Sequence, residues 1–85
     1  MSDNQTLSSN FNIGLYPNPT NLGFVNISTN KSGLISAEVY DILGKVVISS
    51  NVNNGRLNLS KLKAGMYIIK VTQNNLTNTK KLIIN

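Results

Sequence analysis

The chain is 85 residues long, with eight lysines and arginines against three acids for a net charge of +5, and it has no cysteine, histidine or tryptophan. That length fits one small domain, which buries only about 60–65% of its unfolded surface and therefore needs a well-patterned core. Without cysteine there is no disulfide, thiol nucleophile or zinc–thiolate centre, and without histidine a serine would need a lysine or carboxylate as its base.

Residues 1–10, MSDNQTLSSN, are polar and aperiodic, which is the composition of a flexible linker or a remnant of expression. They hold neither a basic start nor an apolar run, so no secretory signal is expected in them. No stretch of the chain approaches the roughly 18 apolar residues that a membrane span requires.

From Phe11 the pattern changes, and residues 11–85 read as one domain. In FNIGLY, Phe11, Ile13 and Leu15 alternate with Asn12, Gly14 and Tyr16, the period of a half-buried strand. PNPTNLG ends it, because Pro17 and Pro19 cannot donate ladder bonds. GFVNIST places Val25 and Ile27 on one face, and LISAEVYD places Ile35, Ala37 and Val39 there. KVVIS follows the DILG turn, and GRLNLS supplies Leu57 and Leu59. GMYIIKVT supplies Tyr67, Ile69 and Val71, and TNTKKLII supplies Leu82 and Ile84. No segment carries a helical apolar stripe. About seven short strands separated by turns predict an all-β fold, an Ig-like Greek-key β-sandwich.

LSKLKAGMY sharpens the topology. Leu59 closes a strand, Leu62 plugs the end of the core, Gly65 permits a bend and Tyr67 opens the next strand. A Greek-key sandwich puts its tyrosine corner at such a place, with the hydroxyl bonded back to the backbone of the crossing loop.

Chemistry is hard to find. The acids are Asp3, Glu38 and Asp41. Glu38 and Asp41 are three apart on one predicted strand, so they project to opposite faces and cannot flank one glycosidic bond. Asp41 has no surrounding loop of oxygen ligands suited to calcium. No catalytic residue, metal site or cofactor is expected. The cations Lys31, Lys45, Arg56, Lys61, Lys63, Lys70, Lys80 and Lys81 are dispersed, which suits solvated lysines better than a nucleic-acid surface. The Asn-x-Ser/Thr triplets at Asn4, Asn26, Asn30, Asn58 and Asn75 arise by chance in so asparagine-rich a chain. A non-catalytic carbohydrate-binding or adhesion module is the competing reading, because Tyr16, Phe24 and Tyr40 occupy the outward parity.

Four stretches in fixed order, LYPNPTNLG, VYDILGKVV, LNLSKLKAGMYIIKV and TKKLIIN, resemble the type A C-terminal sorting domain of type IX secretion cargo proteins from Bacteroidetes, over about residues 13–85. Pro17, Pro19 and Gly23 match its Pro-x-Pro and Gly turn, and Tyr40, Asp41, Gly44 and Lys45 its Tyr-Asp-x-x-Gly-Lys turn. Gly65 and Tyr67 match Gly-x-Tyr, and Lys80 or Lys81 with Leu82, Ile83 and Ile84 match the terminal element. Leu22 makes the Pro-to-Gly spacing one residue longer than the shortest family form.

The resemblance implies an address rather than an enzyme, joined to an upstream cargo domain and forming the C-terminal piece of a larger protein. Cargo would cross the inner membrane by a separate signal, pass through the periplasm and be selected by the outer-membrane machinery. A sortase-like protease would commonly remove the domain, with cargo attached to surface lipopolysaccharide or released. Lys80, Lys81, Leu82, Ile83, Ile84 and Asn85 are the expected recognition element. If that strand lies at a sheet edge, its backbone could take up a partner strand and its terminal carboxylate could be captured by backbone donors, with the two lysines guarding the edge and steering an acidic receptor.

Overall fold

The computed structural model describes residues 11–85. The linker expected over residues 1–10, with Asp3 and the Asn4 triplet, lies outside the described residues. Seven strands follow in order: β1 Ile13–Tyr16, β2 Phe24–Thr29, β3 Ile35–Tyr40, β4 Val46–Val52, β5 Arg56–Asn58, β6 Gly65–Gln73 and β7 Leu76–Ile84. They form a three-stranded sheet, β1-β2-β5, and a four-stranded sheet, β4-β3-β6-β7, with every strand pair antiparallel. The chain changes sheet between β2 and β3, β4 and β5, and β5 and β6, so β2 pairs with β5 and β3 with β6. This is the sandwich that the alternating pattern predicts.

The alternation also settles what lies between the sheets. Val25 and Ile27 from β2, Ala37 and Val39 from β3, Ile69 and Val71 from β6, and Leu82 from β7 are buried together with Phe11, Ile13, Val52, Leu57 and Leu59. Successive side chains in a strand point to opposite faces, so each of these runs delivers every second residue to one layer. Complete burial of each valine, leucine or isoleucine stabilises by about 1.5–3 kcal/mol. One buried polar side chain ties the layers together: the Gln73 amide donates to the Gly33 carbonyl at 2.8 Å, and its oxygen accepts from the Thr29 hydroxyl at 2.7 Å.

Local chemistry closes the turns. Asn74 and Asn75 both have positive φ, 56° and 66°, and form the two-residue link between β6 and β7. Asparagine tolerates the left-handed region better than other non-glycine residues, which suits it to such a hairpin. At the β5–β6 crossing the Tyr67 hydroxyl donates to the Lys63 carbonyl at 2.8 Å, and Leu62 packs against the core. The tyrosine corner is present as expected. The strand expected to close at Leu59 ends at Asn58, and Leu59 follows it into the core.

Candidate functional site

The last strand, β7, is an edge strand paired along its whole length with β6, from Gln73↔Leu76 to Gly65↔Ile84. Leu82 sits opposite Tyr67 and is fully buried, and Ile84 packs against the core. By strand alternation Lys80 shares the parity of Leu82, whereas Lys81 and Ile83 share the other, outer parity. Both lysines are exposed and Ile83 is half-buried. The six expected recognition residues therefore divide: Leu82 and Ile84 build the core, and Lys80, Lys81, Ile83 and Asn85 offer surface.

The far edge of β7 is not open over these residues. The Asn18 side chain accepts from the Ile83 amide at 3.0 Å and donates to the Lys81 carbonyl at 2.8 Å. The Thr20 amide donates to the Ile83 carbonyl, and the Asn85 amide donates to the Thr20 carbonyl, each at 2.9 Å. Thr20 and Ile84 thus form a short parallel bridge. Thr20 is itself buried, and its hydroxyl donates to the Phe24 carbonyl at 2.8 Å. Strand addition along Lys81–Asn85 would have to displace these bonds, which corrects the expectation of free edge groups there. Sequence reading passed over Asn18 and Thr20; their signal is a pair of short polar side chains beside prolines that donate no backbone bond.

The Pro17–Gly23 turn is therefore part of the same site. The peptide bonds before Pro17 and Pro19 are both cis, with Asn18 between them. Gly23 has φ +80°, and its carbonyl accepts from the Leu59 amide at 2.8 Å, joining the turn to the start of the tyrosine-corner loop.

The Tyr40–Lys45 motif closes the β3–β4 hairpin. One Asp41 carboxylate oxygen accepts from the Leu43 amide at 2.9 Å and the Lys45 amide at 3.0 Å, and Gly44 has φ +86°. Aspartate and glycine are needed here for backbone reasons, one as a local acceptor and one for its left-handed conformation. Tyr40 lies on the outer face, where its hydroxyl donates to Glu38 at 2.9 Å; the Lys70 ammonium stands 3.3 Å from the same Glu38 oxygen. The tyrosine bond first, and then the ammonium, hold the Glu38 carboxyl below the usual carboxylate range, and Glu38 in turn holds Lys70 above the usual lysine range. The pair is solvent-exposed and serves as a surface polar cluster.

The aromatic side chains do not converge. Tyr16 and Phe24 belong to the three-stranded sheet and Tyr40 to the four-stranded one. Arg56 covers the Phe24 ring at 3.9 Å, so the ring is already used by a cation–π contact. Among the described residues no group of three or more carboxylates or other ligating side chains gathers to hold a metal. The described surface thus presents neither an aromatic platform nor paired catalytic acids, but a terminal strand locked by an asparagine–threonine clamp.

A family model for the secretion system C-terminal sorting domain matches residues 14–85. The chain belongs to that family. It is a type IX sorting signal, a domain that marks cargo for export to the cell surface or for secretion. A sorting tail of this family implies an upstream cargo domain and the type IX secretion machinery, and such a tail is not a catalytic unit. This chain is 36% identical over 87 residues to an ulvan lyase of Nonlabens ulvanivorans, and 32% identical over 88 residues to an endo-acting ulvan lyase of Formosa agariphila. These matches take in 98% and 99% of this chain but only 16% of either lyase. The sorting domain therefore spans about a sixth of the length of the curated relatives it matches.

Proposed function

We propose that this domain accompanies its cargo through the periplasm and is recognised at the outer membrane through the exposed groups of Lys80–Asn85, presented by a folded sheet. The observation that supports this most directly is the clamp. Asn18 and Thr20 occupy the outer-edge groups of Lys81, Ile83 and Asn85, which leaves the two ammonium groups and the outer side of Ile83 for a partner. The folded sandwich presents these groups in a fixed arrangement whatever cargo precedes it. A sortase-like protease cutting near residues 1–10 would then separate domain and cargo. Likeness to ulvan lyases points to a polysaccharide-degrading enzyme as the cargo, and the domain itself catalyses nothing.

The test fuses residues 11–85 to a fluorescent reporter bearing an N-terminal signal, in a type IX-competent host. The unaltered domain should deliver fluorescence to the surface or medium. Lys80→Ala/Lys81→Ala should retain the melting temperature and reduce export. Unchanged export by that double variant would overturn the assignment. Deleting all six residues is less informative, because it also removes the buried Leu82.

A further inference from the structure

The outer face of the four-stranded sheet is divided in two. Its register aligns Ser49, Glu38, Lys70 and Thr79 in one cross-strand row and Asn51, Ser36, Thr72 and Thr77 in another, both polar. At the end where β3 and β7 finish and β4 and β6 begin, the rows become Val46–Tyr40–Ile68–Lys81 and Met66–Ile83. Val46 is 44% exposed, Met66 49% and Ile68 41%, while Ile42 and Leu43 in the adjoining turn reach 77% and 88%. Large apolar side chains gathered at one end of one face, rather than scattered, mark an interaction surface.

The charges around this patch restrict what fits it. Lys45 precedes Val46 at one side and Lys81 stands beside Ile68 at the other. The carboxylates nearby are engaged: Glu38 by Tyr40 and Lys70, and Asp41 by the amides of its own turn. A second copy of this chain would bring lysines to lysines, with no disengaged carboxylate side chain among the described residues to offset them. Val46, Tyr40, Ile68, Met66 and Ile83 lie on a sheet face beside the Ile42–Leu43 turn, an area broad enough to seat one ordered protein surface. The patch is also continuous with the outer side of the terminal strand through Lys81 and Ile83.

We propose that this patch docks a protein of the outer-membrane secretion machinery whose complementary surface has an apolar centre and an acidic rim, with Met66 and Ile68 of β6 as the central anchors. The proposal rests on the sorting function and extends the recognised surface beyond Lys80–Asn85 to residues that sequence motifs leave unassigned.

The experiment uses the same reporter fusion with Met66→Thr/Ile68→Thr, which keeps strand-compatible side chains and removes the apolar anchors. Leu34→Thr, 92% exposed in the β2–β3 loop, is the control. The double variant should fold and melt as the unaltered domain does, yet lose export by about tenfold or more, as central interface anchors do. Leu34→Thr should export normally. Binding of the purified domain to detergent-solubilised type IX outer-membrane complex should weaken with rising salt and weaken again in the double variant.

If the unaltered fusion is exported and the double variant is exported equally, the docking surface is overturned while the sorting reading stands. If the unaltered fusion is not exported, both fall. Binding to vesicles of anionic phospholipid, or a concentration-dependent dimer in sedimentation, that is abolished by Met66→Thr/Ile68→Thr would assign the patch to a membrane or to a second copy and overturn the proposed partner.

Discussion

Asn18 and Ile83 stand 65 positions apart, yet the asparagine side chain accepts the Ile83 amide proton at 3.0 Å and donates to the neighbouring Lys81 carbonyl. A side-chain amide carries the same donor and acceptor as a peptide group, so Asn18 extends the short backbone bridge made by Thr20 along the same edge. Asn18→Ala should remove both bonds and destabilise the domain by about 1–2 kcal/mol. Asn18→Asp should not rescue it, because a carboxylate retains the acceptor for Ile83 but faces the Lys81 carbonyl without a proton to give. Amide hydrogen exchange should show Ile83 exchanging faster in both variants, with Ile69 in the sheet interior protected for as long as the domain stays folded.

The tyrosine corner predicts a smaller effect. Tyr67→Phe keeps the ring and removes one hydrogen bond to the exposed Lys63 carbonyl, which water can replace. The expected loss is about 1 kcal/mol, read by chemical denaturation, with export of the reporter preserved. Export lost in a variant that still folds would mean that the hydroxyl has a role beyond holding the crossing loop.

Leu82 and Lys81, adjacent in sequence, should behave oppositely. Leu82→Ala opens a cavity at a fully buried position and should cost about 2–5 kcal/mol, comparable to the whole stability of a domain this small. Lys81→Ala, at an exposed position, should shift the melting temperature by no more than about 2–4 °C, in line with surface changes of about 0.5 kcal/mol or less. Comparing export of the two by reporter assay, beside their melting curves, separates loss of fold from loss of recognition.

The Glu38 cluster carries a defined pH dependence. Its carboxyl titrates below the usual range in the folded state, so its contribution is present above the unfolded value and fades as pH falls through the folded one. Lys70 is raised, so its contribution holds below the ordinary lysine range and is lost as pH rises through the folded value. Tyr40→Phe and Lys70→Met should each move the Glu38 titration upward, since the tyrosine bond and the ammonium both lower it. An NMR pH titration of the Glu38 side chain measures both shifts, and an unmoved titration in either variant would contradict that partner's role.

How much of this was legible beforehand follows the range of the forces involved. Alternation is local: Val25 and Ile27, Ile69 and Val71, and Leu82 announce their buried face through their own neighbours, and each is buried. Asp41 and Gly44 declare a turn because their backbone demands are met within five residues. In GMYIIKV, by contrast, Met66 and Ile68 are as apolar as Ile69, and the run by itself does not show that one parity faces outward uncovered.

By itself, then, the sequence determined the fold class, the strand count, the tyrosine corner and membership of the sorting-domain family, all carried by local periodicity and by motifs in fixed order. The tertiary structure alone decided that the proline turn clamps the last strand and that Val46, Tyr40, Met66, Ile68 and Ile83 share one surface. Both depend on pairing between distant segments. Strand register and the closure of the sandwich set that pairing, which no window along the chain contains.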